Sequence, residues 1–381
     1  MTTLINPGFY SVNVGATVTP PAVKDPWTDS QGFYAKISRS DMQDLYNGTN
    51  ASKIAKLQNE LVNNPLVMGW QIPIDWALCE GSGSGSTSGT INFDYYDEVL
   101  SYLPDGKFAI MMLMNWREFG FGLGGDPIYS RLLPPDMWAS YLTYMYMVTS
   151  TKYSLILPNP TLQTRMKAFY QAFADKYDND PRIIGVSTTE SVGTAPTTGG
   201  WSSSAVPYTE AQWYAARTDL VLDTKLRFDY TMTINDGAIS RAYCEDWYDI
   251  GVAAGVCPSS SNSEWWSGIY NVDDGADRAI LPRFATSAAS IPIFSQLQGD
   301  DFQDLDPDTG VIAPTSQILA RVGMIGYPSD ARIYPLKSHY CIVQRGAWWD
   351  GTGAYAGRGF WDKILADGAG VLNSTRPSRV L

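Results

Sequence analysis

The clearest structural signal in the chain is LQTRMKAFYQAFADKYDNDPRIIGVSTTES, the stretch Leu162–Ser191. In its first part, large apolar side chains such as Phe169 and Phe173 recur every three or four positions, which predicts an amphipathic helix over Leu162–Pro181. The apolar run after the proline predicts a buried strand over Arg182–Ser191. A helix followed by a short buried strand is the repeating unit of a parallel sheet.

The same alternation recurs along most of the chain. Apolar runs of the length of a strand are separated by stretches with helical periodicity or by turn residues. We predict seven clear strands from these runs, and a weak eighth between Pro134 and Tyr144. The seven are Leu66–Trp76, Lys107–Trp116, Arg182–Ser191, Leu226–Asp236, Asp249–Cys257, Ser290–Gln298 and Ser338–Trp348.

Eight strands with intervening helices predict an α/β protein with the (β/α)8 architecture of a TIM barrel. We expect one domain over residues 1–381, with a loop-rich N-terminal segment over about residues 1–64. An open doubly wound sheet is the competing architecture, but no glycine-rich nucleotide fingerprint or P-loop follows a predicted strand. The Gly/Ser-rich stretch Glu80–Thr90 is predicted to be a flexible surface loop.

The composition excludes several classes of function. The chain has 27 Lys and Arg against 39 Asp and Glu, a net charge of -12, and its cations are scattered, so nucleic acid is not an expected partner. Its one histidine, His339, excludes a zinc site with several imidazole ligands. A hydrolase triad would need this same histidine as its base. Because His339 precedes an apolar strand, we predict a structural hydrogen bond near the barrel bottom. We expect no metal and no cofactor.

The N-terminal sequence MTTLINPGFYSVNVG has neither the basic start nor the long apolar run of a secretory signal peptide. The apolar runs are too short to span a membrane, so no membrane partner is expected. These features favour a cytoplasmic or virion-associated protein and leave secretion open. The oligomeric state is not predicted.

The carboxyl ends of the predicted strands carry polar, charged and indole side chains. Catalytic groups of barrels lie at this end of the strands and in the loops that follow. Sugar hydroxyls exchange hydrogen bonds with such polar groups, and the C–H faces of sugar rings pack on indole. This mixture predicts a carbohydrate site formed by Asp75, Trp76, Asn115, Trp116, Arg117, Glu118, Asn235, Asp300, Trp348 and Trp349.

Glu190 is the leading catalytic candidate, because it ends the strand that we expect to be the fourth of the barrel. A carboxylic acid at this position can protonate a leaving oxygen if burial raises its pKa toward neutrality. A salt bridge at the strand end is the structural alternative. The spacing of the residues alone does not distinguish a catalytic acid from a glutamate in a salt bridge.

The stretch around Glu190 resembles the third helix and fourth strand of clan-A glycoside hydrolases, where a Tyr and an Asn/Asp-Pro turn precede a strand that ends in Asn-Glu. GWQIPIDW and KFAIMMLMNW look like the first two strands of these barrels, and GVAAGVCP and IPIFSQLQGDDF are more weakly similar to the sixth and seventh. The resemblance covers Leu66–Trp349. It implies a retaining mechanism, with Glu190 as acid/base and a glutamate on the seventh strand as nucleophile.

The sequence departs from this family pattern at two places. Thr189 stands where the family usually has Asn, which puts a hydrogen bond to the sugar 2-hydroxyl in doubt. Gln296 and Gln298 stand where the family places the nucleophile, and an amide cannot form the glycosyl ester. Three explanations stay open: an engineered Glu→Gln variant that traps substrate, a carboxylate elsewhere, or a catalytically silent barrel. The alternative carboxylates are Glu118, Asp236, Asp300 and Asp301, and a distant base such as Asp300 would make the mechanism inverting.

The sequence therefore predicts a glycoside hydrolase that acts on O-glycosidic bonds of an oligo- or polysaccharide. Its catalytic positions would be Glu190, as general acid/base, and Gln296 or Gln298. The competing hypothesis is a silent glycan-binding or structural barrel, for example a component of a viral particle. A lyase or isomerase that uses carboxylates without a metal is a third class.

Overall fold

The computed structural model describes residues 30–113, 116–118, 132–149, 152–187, 208–236, 243–260, 281–297, 336–344 and 370–378. Eight parallel strands form a closed barrel. In chain order they are β1 (Gly32–Lys36), β2 (Val67–Ile74), β3 (Phe108–Leu113), β7 (Ile183–Ser187), β8 (Met232–Asp236), β9 (Cys257–Ser260), β10 (Phe294–Leu297) and β11 (Tyr340–Gln344). Around the barrel their order is β1-β11-β10-β9-β8-β7-β3-β2. This confirms the predicted (β/α)8 architecture.

The helices surround the barrel, and a small antiparallel sheet is inserted between β3 and β7. Within the described ranges the helices are α1 (Arg39–Asn47), α2 (Ala51–Val62), α3 (Trp76–Cys79), α4 (Asp94–Ser101), α5 (Pro160–Tyr177), α6 (Glu210–Arg227), α7 (Cys244–Ala254) and α8 (Leu281–Ser287), with a 3₁₀ helix over Pro135–Thr143. The small sheet has the order β4-β6-β5, with β4 (Trp116–Glu118), β5 (Met145–Thr149) and β6 (Lys152–Leu155). No helix within the described ranges has both the length and the apolar character that crossing a membrane requires.

Local sequence signals fix several helix ends. Ser38 caps α1 and forms a capping box with Asp41, and Thr209 and Gln212 form the equivalent box at the start of α6. Helix α1 ends at Gly48, whose φ of 61° lies in the left-handed region that favours glycine.

Two strand predictions are wrong: one barrel strand was missed and another was predicted where none exists, so the total of eight strands is unchanged. The prediction placed no strand before Leu66, yet Gly32–Lys36 pairs with β2 and β11 and closes the barrel. The predicted weak strand between Pro134 and Tyr144 is instead the 3₁₀ helix, which begins at Pro135, the second of two consecutive prolines. Proline lacks the N–H that a barrel strand needs, and its fixed φ suits a helical first turn. The strand over Ile183–Ser187 therefore remains the fourth of the barrel.

A third prediction, the strand over Asp249–Cys257, is also wrong. Residues up to Ala254 belong to α7, Gly255 ends the helix with a φ of 84°, and β9 begins only at Cys257. The sequence GVAAGV is short, apolar and rich in small residues, so its pattern does not distinguish a buried strand from the end of a helix.

The core consists of two layers on opposite sides of the strands. Side chains such as Phe33 and Trp70 pack outward against Leu57 and other apolar residues of the helices. The inner layer fills the barrel and includes Tyr34, Ile110, Met232, Ile234, Phe294, Tyr340 and Ile342. Successive residues of a strand point to opposite faces, so the two layers alternate along each strand.

His339 lies just before β11, at the amino-terminal end of the barrel, as the sequence predicted. The Ile293 backbone N–H donates to His339 Nδ1 at 2.9 Å, and the His339 backbone N–H donates to the Ile293 carbonyl at 2.9 Å. The imidazole is fully buried. Burial lowers its pKa to about 4, against a smaller opposing effect of a hydrogen bond with the Thr375 backbone.

We predict that His339 makes the fold less stable in acid. The unfolded imidazole titrates near its ordinary pKa of about 6.5, and the folded one titrates near about 4, so only the unfolded chain gains a proton between these values. The free energy of unfolding should therefore fall by about 3 kcal/mol from this group as the pH drops from 7 to 4. His339→Gln keeps an acceptor but cannot titrate, and denaturant unfolding at each pH should show a correspondingly weaker pH dependence. Parallel pH profiles for the two proteins would contradict this role.

Candidate active site

The carboxyl end of the barrel interior carries polar side chains, as the strand register shows. Partners in neighbouring parallel strands share a face, so a residue paired with a member of the inner core also faces inward. By this criterion several residues near the carboxyl ends face inward. Gln71 pairs with Ile110, and Lys36 pairs in turn with Gln71. In the same way Ser187 pairs with Ile234, Ser259 with Phe294, and Gln296 with Ile342. We call Lys36, Gln71, Ser187, Ser259 and Gln296 the interior polar residues.

Gln296 lies on β10, the seventh strand of the barrel. Its side chain is buried, and its Nε2 donates to Ser259 Oγ on β9 at 3.5 Å. The seventh-strand position that faces the interior thus carries a neutral amide. The strand ends at Leu297, and Gln298 lies outside the described residues.

Asp75 and Trp76 follow β2 at the carboxyl end, but protein contacts occupy both side chains. The Asp75 carboxylate is fully buried and accepts a bidentate pair of hydrogen bonds from the Arg39 guanidinium, with Arg39 Nε 2.5 Å from Asp75 Oδ2. The Trp76 side chain is 3% exposed, and its Nε1 donates to Glu80 Oε2 at 2.5 Å. In this structure the two residues stabilise the end of β2 and present almost no surface to solvent.

Asn235 faces the helices and not the barrel interior. Its neighbour in β8, Ile234, belongs to the inner core, and alternation places Asn235 on the opposite face. Consistently, Asn235 Nδ2 lies 3.8 Å from the position that a Cβ at Gly251, on α7, would occupy. The structure therefore separates Asn235 from the interior polar residues.

The other predicted site residues fall into two groups. Trp116, Arg117 and Glu118 form β4, which pairs antiparallel with β6, because the barrel strand that was predicted to reach Trp116 ends at Leu113. This sheet lies within the connection that follows β3, on the carboxyl side of the barrel. Asn115, Glu190, Asp300, Trp348 and Trp349 lie outside the described residues.

A buried ion network beside this end of the barrel is absent from the sequence predictions. Arg165, on α5, is fully buried and donates to Glu80 Oε1 at 2.5 Å and to Asp136 Oδ2 at 2.6 Å. Burial raises the pKa of Asp136, but the hydrogen bonds from Arg165 and from the Gly83 backbone N–H, together with the positive charge of Arg165, outweigh burial and lower that pKa. Since Glu80 follows α3 and Asp136 lies in the 3₁₀ helix, Arg165 joins the connections that follow β2 and β3.

The same network holds the Gly/Ser-rich stretch Glu80–Thr90, which was predicted to be a flexible loop. The Gly83 N–H donates to Asp136 Oδ1 and the Gly89 N–H donates to Glu80 Oε1, each at 3.0 Å. A Cβ at Gly83 would lie 2.2 Å from the Thr87 carbonyl oxygen, so the turn requires glycine there. The stretch is a turn with defined carboxylate contacts, because each of these two carboxylates accepts from one of its backbone N–H groups.

We predict that Arg165→Met destabilises the protein by about 3–5 kcal/mol, because it leaves the Glu80 carboxylate buried without a cation. The double variant Glu80→Gln/Arg165→Met should recover part of this loss, since the uncompensated charge is then removed as well. Denaturant unfolding measures both values. Lys167→Met is the matched control on the same helix, because its partner Asp219 is 58% exposed and the pair should contribute about 0.5 kcal/mol or less. Equal losses for Arg165→Met and Lys167→Met would contradict the assigned role.

Within the described ranges, no group of three His, Cys, Asp or Glu side chains is arranged to hold a metal ion. The described polar residues at the carboxyl end offer hydrogen-bond donors and acceptors and one ammonium group, that of Lys36. This arrangement can bind and orient a polar ligand.

No protein-family model and no curated protein matches the chain. Solved structures similar to it include the cold-adapted β-galactosidase from Rahnella sp. R3, with 10% sequence identity and a TM-score of 0.49 over 90% of this chain and 56% of that chain. The β-glucanase from Saccharophagus degradans has 13% identity and a TM-score of 0.48 over 89% of this chain and 87% of that one. A broad-specificity GH5-4 endoglucanase from Clostridium acetobutylicum has 13% identity and a TM-score of 0.45, over 84% and 89% of the two chains.

By their names, these similar structures are a β-galactosidase, a β-glucanase and an endoglucanase. The chain spans 56% of the length of the β-galactosidase and 57% of that of a trimodular GH5_4 endoglucanase. At 10–13% identity and TM-scores below 0.5, the similarity transfers neither an activity nor a substrate to this chain. The barrel itself rests on the closed strand order.

Proposed function

We propose that this chain is a glycoside hydrolase that cleaves O-glycosidic bonds of an oligo- or polysaccharide, with Glu190 as general acid/base. The observation that carries the proposal is the position of Glu190 in the sequence. It follows Ser187, the last residue of the fourth strand of the closed barrel, by three positions. Loops at the carboxyl ends of barrel strands carry the catalytic groups of this architecture.

The interior polar residues support a sugar as the ligand. Amides, hydroxyls and an ammonium group exchange hydrogen bonds with sugar hydroxyls, and they do so at the end of the barrel where Glu190 follows its strand. Asn115, Trp116, Arg117, Glu118, Asp300, Trp348 and Trp349 are proposed to bind sugar from the connections that follow the barrel strands. Asp75, Trp76 and Asn235, whose side chains contact the protein, would act by holding the strand ends in place.

The chemistry would use Glu190 and a second carboxylate. Glu190 would protonate the leaving oxygen as the glycosidic bond breaks, a role that requires an environment that raises its pKa toward neutrality. Because Gln296 cannot form a glycosyl ester, the second carboxylate would be Glu118, Asp236, Asp300 or Asp301. A separation of about 5 Å between the two carboxyl groups corresponds to retention of configuration, and roughly 6.5–9.5 Å to inversion.

We predict that Glu190→Gln lowers kcat on an oligosaccharide substrate by at least about 100-fold, because the amide cannot donate the proton that the leaving group needs. Reducing-end assays on a panel of oligosaccharides measure this loss, and the thermal unfolding temperature should stay within a few degrees of the parent value. Glu98→Gln removes an exposed carboxylate on α4 and is the matched control, with the parent rate expected. Parental turnover by Glu190→Gln would refute the assignment of the acid/base.

A second candidate function is a silent glycan-binding barrel, and the observation that favours it is Gln296. The amide occupies an inward-facing position on the seventh strand, where the resemblance implies the nucleophile. A barrel with this position neutral and no other carboxylate in reach would bind a glycan without cleaving it.

The variant Gln296→Glu separates the two candidates. Under the hydrolase proposal, the parent protein releases product and Gln296→Glu releases no more than the parent, because its second carboxylate lies elsewhere. Under the silent-barrel alternative, the parent binds a glycan without any product, and Gln296→Glu gains hydrolysis by supplying the missing nucleophile. Gln171→Glu adds the same charge on the exposed face of α5 and controls for unspecific effects. Product formation is measured by mass spectrometry after incubation with oligosaccharides.

A further inference from the structure

Gln71 is a residue that the fold alone does not explain. Its side chain is fully buried, and neither Nε2 nor Oε1 has a hydrogen-bond partner among the residues that the structure describes. Burying an amide without partners destabilises a folded protein, whereas a leucine of similar size would fill the position without that loss. A buried polar group that lowers the stability of the folded protein is typical of a ligand-binding position.

The surroundings of Gln71 are apolar on one side and cationic on the other. Within the strand register its partner on β3 is Ile110, a member of the inner core. Its partner on β1 is Lys36, the last residue of that strand, which is partly exposed at the carboxyl end of the barrel. Lys36 and Gln71, with its unsatisfied amide, therefore occupy paired positions on two neighbouring strands and face the barrel interior, at the end where barrels bind their substrates.

We propose that Lys36 and Gln71 bind a carboxylate-bearing sugar, that is, a uronic acid unit of the carbohydrate ligand. The ammonium group pairs with the carboxylate, and the amide N–H donates to one of its oxygens. The amide oxygen accepts from a neighbouring ring hydroxyl, so a uronate satisfies both orphaned atoms of Gln71. This inference rests on the proposed carbohydrate function and adds the class of sugar to it.

The overall charge of the chain makes a local cation necessary for such a ligand. With a net charge of -12, the protein as a whole repels an anion. Selection for a uronate must then come from groups in direct contact with its carboxylate. Lys36 is the cation among the interior polar residues, and its position next to Gln71 provides both the charge and the hydrogen bonds at one place.

The first test compares three ligands that share one ring: D-glucuronate, glucose 6-sulfate and D-glucose. NMR titration of the full-length protein should show glucuronate binding at least about tenfold more tightly than glucose, as expected for one charge-assisted contact. Lys36→Met should abolish this preference, while Lys56→Met, an exposed lysine on α2, should leave it unchanged. Equal affinity for glucuronate and glucose, or tighter binding of the sulfate than of glucuronate, would overturn the proposal.

The second test uses stability and binding together on Gln71→Leu. Removing the orphaned amide should raise the Tm of the ligand-free protein by about 2 °C or more, and the same change should weaken glucuronate binding at least about tenfold. A lower Tm would show that the amide has a structural partner, and unchanged glucuronate affinity would show that it does not touch the ligand. Either result overturns the proposal.

The outcomes remain separable from the hydrolase proposal. A protein that prefers glucuronate but releases no product from any oligosaccharide would retain this inference and lose the hydrolase assignment. A protein that hydrolyses neutral oligosaccharides and binds glucuronate no better than glucose would retain the hydrolase assignment and lose the inference of a uronate site.

Discussion

Closure of the barrel depends on the pairing of β1, five residues long, with β2 on one side and β11 on the other. Gly32 begins this strand with a φ of 154°, and a Cβ there would lie 2.3 Å from Met68 Cγ, so the close approach of β1 and β2 requires glycine. Without β1, the barrel would be an open sheet with β2 and β11 as its edges. The interior exists as a separate environment only because this strand is present.

The closed interior divides into two parts along the barrel axis. Toward the amino-terminal end, Tyr34, Phe294 and Tyr340 fill the space, and the rings of the last two stack at 4.5 Å between centroids. Toward the carboxyl end the inward-facing side chains become polar, with the amide of Gln296 in contact with Ser259. An apolar layer therefore supports a polar surface, and this order gives a binding site a rigid base. Arg165 adds a second support from outside, because it fixes the two connections that follow β2 and β3.

The sequence predicts those structural features that local patterns encode. The helix and strand on either side of Pro181 carry their own periodicity and appear as α5 and β7. Strand β1 has no such signal, because GFYAK becomes a barrel strand only through partners that are distant in the sequence. Because strand β1 was not predicted, Lys36 was not identified as a candidate site residue.

The candidate site was harder to predict because side-chain direction depends on long-range contacts. Asp75 was correctly placed at a strand end, but its carboxylate is paired with Arg39 of α1, a contact that the pattern around Asp75 does not contain. Asn235 was placed on the correct strand, and only the register shows that it faces α7.

The proposal that Glu190 acts as an acid in an open carbohydrate site can be tested by a single distance. This is the distance from the Glu190 carboxyl group to the nearest other carboxyl group, measured in a crystal structure with a bound oligosaccharide. We predict a separation of roughly 5–9.5 Å across the sugar. A Glu190 carboxyl group packed against the helices, or one with no second carboxylate in that range, would contradict it.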